Sequence, residues 1–70
     1  MIRPDQAKEL AGALDDVVRG FRRALRGLER ARAIGGLIDE RDLDAAIAGT
    51  KEAERHFSEA LRLVQEARRR

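Results

Sequence analysis

The sequence predicts an all-α fold, an antiparallel two-helix hairpin of the coiled-coil type. Three observations predict it. Of 70 residues, 43% are apolar and 40% charged, with Ala and Leu leading the first set and Arg and Glu the second; these are strong helix formers. Apolar residues recur at spacings of three and four through two long stretches, the mark of helices packed along a seam. Between the stretches stands Gly35-Gly36, a helix stop, and then Asp39, a helix start. No Trp, no Tyr, two Phe and one Pro argue against a sandwich or barrel, which draws on aromatic and β-branched residues.

The first helix is expected over about residues 4–34. Pro4 suits its first position, where the N–H has no partner inside the helix. Ala7, Leu10, Leu14, Val17, Phe21, Ala24, Leu28 and Ala31 then follow without a break in spacing. In heptad terms Ala7, Leu14, Phe21 and Leu28 take position a; Leu10, Val17, Ala24 and Ala31 take position d.

The turn is expected at 35–39 and the second helix at about 40–69, giving a single hairpin domain over 1–70. Asp39 reads as the N-cap, with Asp42 in the capping-box place and Ile38 and Leu43 as a hydrophobic staple. Glu40, Asp42 and Asp44 put negative charge in the first turn, and Arg68, Arg69 and Arg70 put positive charge in the last, as the helix dipole favours. Leu43, Thr50, Phe57 and Val64 fall at a; Ala46, Ala53, Ala60 and Ala67 fall at d. Each helix would be a rod of about 45 Å.

Folded back antiparallel, a residues face d residues in layers such as Leu14/Ala60, Phe21/Ala53 and Val17/Phe57. Every layer shares one sum of residue numbers, with its midpoint in the turn. Most layers set a large side chain against a small one, which lets two helices sit close. The expected seam is therefore a against d.

Such a seam leaves two flanks. Position e carries Val18, Leu25, Ile47 and Leu61, read as a self-association flank that the hairpin itself does not use. A two-helix hairpin alone buries too little to offset the entropy of ordering its chain. Of its 30 apolar residues 12 are Ala, leaving 18 larger ones, and there is no cysteine to staple the fold. A homodimer paired into a four-helix bundle is the expected answer. Position g carries Ala13, Gly20, Gly27, Gly49, His56 and Leu63, a candidate groove for the backbone of a helical protein partner.

Charge is nearly balanced, with 15 Lys and Arg against 13 Asp and Glu. Arg19, Arg22, Arg23, Arg26 and Arg30 share the outer face of the first helix, candidate contacts for phosphates or an acidic partner. Aromatic side chains for base stacking are lacking, so nucleic-acid binding is the alternative reading. Acids on the same face argue against a membrane surface.

No chemistry-bearing motif emerges. His56 is the lone histidine, and Glu52 lies four residues before it, not the three of a di-iron motif. Ser58 is the lone serine and has no nucleophile elbow around it. No phosphate-binding loop is present. The expectation is no enzyme, no metal and no cofactor. Met1-Ile2-Arg3-Pro4-Asp5 lacks the apolar stretch of a signal peptide, and no apolar run approaches the roughly 18 residues of a membrane span, so the expected location is cytoplasmic.

In shape, a short helical hairpin expected to dimerise, the chain is similar to the plasmid copy-number RNA-binding hairpins. It is also similar to the small hairpin co-chaperones of type III secretion needle subunits. The second likeness implies docking of a helical partner through one flank. Both rest on length and heptads, and neither assigns a role to a residue of this sequence. Together the readings predict a non-enzymatic interaction module, an adaptor, co-chaperone or small regulator.

Overall fold

A computed structural model describes residues 3–36 and 38–69. It is a hairpin of two helices, α1 over Pro4–Ile34 and α2 over Glu40–Arg69, with no strand among the described residues. The expectations placed on Met1, Ile2, Leu37 and Arg70 lie outside those residues. The molecule is a rod of 50 × 14 × 14 Å with a radius of gyration of 15.8 Å. A globular chain of this length would have a radius of about 11 Å.

The local signals act as their chemistry dictates. Pro4 opens α1. The Arg3 N–H donates to Gln6 Oε1 at 3.3 Å; a guanidinium cannot accept, so only this half of a capping box exists. At the other end the Gly35 N–H closes on the Ala31 carbonyl at 3.0 Å. Gly35 and Gly36 take φ of 70° and 91°, values that a side chain would oppose. The Asp39 carboxylate then caps α2, accepting the Arg41 N–H at 2.8 Å. The staple is looser than expected, because Ile38 remains more than half exposed while Leu43 is buried.

The seam differs from the expected one. The buried residues are Ala7, Ala11, Val18, Leu43 and Ile47, all at positions a and e. Val18 is 3% and Ile47 7% exposed, whereas Leu10 and Val17, expected in the seam at d, are 39% and 38% exposed. Each helix has turned so that a and e, not a and d, face its partner. The physical reason lies in side-chain size. Six of the eight d residues are Ala, while position e offers Val18, Leu25, Ile47 and Leu61. Each buried CH₂ contributes about 0.8 kcal/mol, so the e rows remove more apolar surface from water. The polar members of those rows fit the rotation too. Glu54 meets Arg22 across the seam at 3.1 Å, and Arg32 meets Asp44 at 3.2 Å.

Phe21 and Phe57 stack at the middle of the hairpin, with centroids 5.6 Å apart and planes at 27°. Thr50, half buried, gives its hydroxyl hydrogen to the Ala46 carbonyl at 2.6 Å, so its polar atom is satisfied. No large side chain among the described residues is fully buried. The core is a single thin layer.

Candidate docking face

Because the seam uses position e, the self-association flank expected at Val18, Leu25, Ile47 and Leu61 is the hairpin's own interior. Val18 and Ile47 are buried there, and Leu25 and Leu61 are half buried. Burying them between α1 and α2 needs no second chain.

The rotation exposes a different surface. The two ion pairs join e of one helix to b of the other, Arg22 (b) to Glu54 (e) and Arg32 (e) to Asp44 (b). They lie on one side of the seam, where Ser58 also donates to Glu54 at 3.1 Å. The d rows of both antiparallel helices therefore lie together on the opposite side, with the g rows beside them. Along α1 this face reads Leu10, Ala13, Val17, Gly20, Ala24, Gly27, Ala31 and Ile34; along α2 it reads Ala46, Gly49, Ala53, His56, Ala60, Leu63 and Ala67. In a chain that is 40% charged, none of these positions holds Asp, Glu, Lys or Arg. Leu63 is 53% exposed and Phe57, at the edge of the seam, 38%.

All six residues of the expected g-flank groove, Ala13, Gly20, Gly27, Gly49, His56 and Leu63, lie on this face and are exposed. A Cβ built on Gly20, Gly27 or Gly49 would meet nothing within 4 Å. These glycines relieve no crowding inside the hairpin, although each costs its helix about 1 kcal/mol relative to Ala. The sequence reading placed Leu10 and Val17 inside the seam and so missed them here. The larger side chains at e were the signal that could have found them.

The arginines of α1 are only partly free. Arg19 binds Asp15 at 3.0 Å and Arg22 binds Glu54. Arg23 and Arg26 have no carboxylate within ion-pair distance among the described residues; with Asp16, Arg19, Gly20 and Arg22 they line a shallow, open concavity. Arg30 is likewise without such a partner there and is exposed.

On α2, Arg62 bridges Glu59 at 2.6 Å and Glu66 at 3.1 Å. The hydrogen bond from Arg62 holds the Glu59 carboxyl below its ordinary value, and the same bond raises the guanidinium. What this exposed contact adds to folding is present at neutral pH and fades as pH falls through the carboxylate range. His56 Nε2 lies 3.7 Å from Glu52. Among the described residues no three His, Asp or Glu converge as metal ligands, and no helix is long and apolar enough to cross a membrane.

Comparison of the chain with protein-family models, with curated proteins and with solved structures gives no match.

Proposed function

We propose that this chain is a non-enzymatic interaction module, an adaptor or small regulator, that works by docking further helices on its d/g face, most simply as paired hairpins in a four-helix bundle. One observation carries the reading: Leu10, Val17, Phe57 and Leu63 stand exposed on a face that holds no charged residue. Apolar surface of this extent on a thin hairpin marks an interaction site. Docking would double the single-layer core, which is the usual way small scaffolds without disulfides reach stability.

Sedimentation equilibrium tests it. The native chain should run at a multiple of its 7.9 kDa mass in both low and moderate salt, because apolar burial responds little to ionic strength. A Leu10→Glu/Val17→Glu variant should run as a monomer. A native chain that stays at the monomer mass, or an assembly indifferent to those two substitutions, would remove the d/g face from the account.

A second reading, phosphate binding through α1, draws on Arg23, Arg26 and Arg30, which carry no ion pair among the described residues. It is the weaker one, since Arg19 and Arg22 are already engaged. Binding of a short RNA or DNA duplex that collapses steeply between low and moderate salt would favour it.

A further inference from the structure

Resting on the reading that the d/g face docks helices, we infer that its occupant is a second copy of this chain, placed by a two-fold axis that crosses α1 between Val17 and Gly20 and sends the two turns to opposite ends of the bundle. Area makes a second copy sufficient. The hairpin presents 5840 Å² to solvent, whereas a compact monomer of its mass would present about 4,400 Å². The surplus, roughly 1,400 Å², exceeds the about 800 Å² that each partner gives to a stable interface.

Charge selects the arrangement. The outer edge of the face on α1 is position c, which reads Glu9, Asp16, Arg23, Arg30, acidic toward the N-terminus and basic toward the C-terminus. Such a row is complementary to itself when run antiparallel. With the axis between Val17 and Gly20, Glu9 meets the partner's Arg30 and Asp16 meets the partner's Arg23, and symmetry repeats both pairs. The same register seats Val17 on the partner's Gly20 and Leu10 on the partner's Gly27. Those are glycines beside which the hairpin leaves open space. On α2 the corresponding edge is acidic and this register sets Glu52 against the partner's Glu59, a contact that Arg55 and Arg62 of the same helix offset.

The other two-fold pairing, with both turns at one end, stacks α1 on the partner's α2. It sets Glu9 against the partner's Glu66 and Asp16 against the partner's Glu59, and only Arg23, against the partner's Glu52, meets an opposite charge. Arg55 and Arg62 offset the α2 carboxylates equally in both assemblies, but only α1 on α1 gives Glu9 and Asp16 basic partners, and that favours turns at opposite ends.

The chain has no cysteine, so a single spin label at exposed Ala33 (Ala33→Cys), near the turn, reports the geometry by dipolar distance measurement. Turns at opposite ends put the two labels about 45 Å apart; turns at one end put them roughly 25 Å apart, the width of a bundle. Charge reversal gives the second readout. Asp16→Arg and Arg23→Asp should each weaken the dimer about tenfold, since each disrupts two symmetric pairs. The double variant should return to within about threefold of the native affinity.

A short label distance, or a dimer tightened by Asp16→Arg, overturns this arrangement while leaving helix docking on the face intact. An assembly of more than two chains does the same. A native chain that is monomeric throughout overturns the second copy as occupant, and an assembly unaffected by Leu10→Glu/Val17→Glu overturns the docking face itself.

Discussion

Val17 and Val18 are neighbours in the chain with the same side chain, yet one is 38% and the other 3% exposed. A helix advances 100° per residue, so which of two adjacent apolar positions is buried depends on a rotation of about that size. The spacing of apolar residues made both candidates and ranked d ahead of e; side-chain volume reversed the order. The consequence is measurable in dilute solution, where the hairpin is alone. Val18→Ala should cost about 2 kcal/mol by urea unfolding, through lost burial and an unfilled cavity. Val17→Ala should cost under about 1 kcal/mol under the same conditions, because its side chain is already partly in water. A larger loss for Val17→Ala than for Val18→Ala would mean that the a/d seam is the one formed in solution. Leu25 and Leu61 belong with Val18 in this respect, and Leu10 with Val17.

At the scale of the element, both helices were legible from their ends as much as from their periodicity. Pro4, Gly35-Gly36 and Asp39 are local instructions, and each acts on its own backbone without help from the fold. The staple at Ile38 was less legible, since it depends on how the chain leaves a turn and not on the helix alone. The glycines inside the helices are a separate matter. Gly12, Gly20 and Gly27 all have open space around a would-be Cβ, so replacing any of them by Ala should stabilise the isolated hairpin by up to about 1 kcal/mol. Their effects on assembly should differ. Gly27→Ala puts a methyl group where a docking helix needs room and should weaken association. Gly12→Ala, at position f away from the face, should leave association as it was. Thermal melts by circular dichroism at low and high protein concentration read both effects. Equal behaviour of the two variants at high concentration would show that no backbone approaches Gly27.

At the scale of the molecule, a 50 Å rod only 14 Å thick cannot shield its own apolar residues, whichever stripe it turns inward. Three adjacent rows, a, d and e, carry apolar side chains, and one partner helix covers only about two of them. The third row must face water or another chain. A melting temperature that rises with protein concentration is therefore expected, since assembly stabilises the folded state by mass action. A concentration-independent melt would mean that the hairpin folds and persists alone. The arginines of α1 enter here as well. Two are tied to Asp15 and Glu54, and Arg23 and Arg30 fall on the edge of the face, where charge decides orientation more than affinity.

The sequence by itself determined that the chain forms two helices, where they stop and start, and that they fold back antiparallel. Those features follow from short-range preferences and from a heptad pattern that only helices satisfy. It also determined that apolar surface would be left over, because the counts of large apolar residues and of alanines do not depend on orientation. Only the tertiary structure decided which surface that is. Rows d and e flank row a at comparable angles, so spacing alone cannot choose between them. The choice went to the row whose larger side chains and cross-seam ion pairs, Arg22 to Glu54 and Arg32 to Asp44, gain most from contact. With it, the e row went inside, and Leu10 and Val17 moved outward to join the glycine row, where the candidate partner groove already lay.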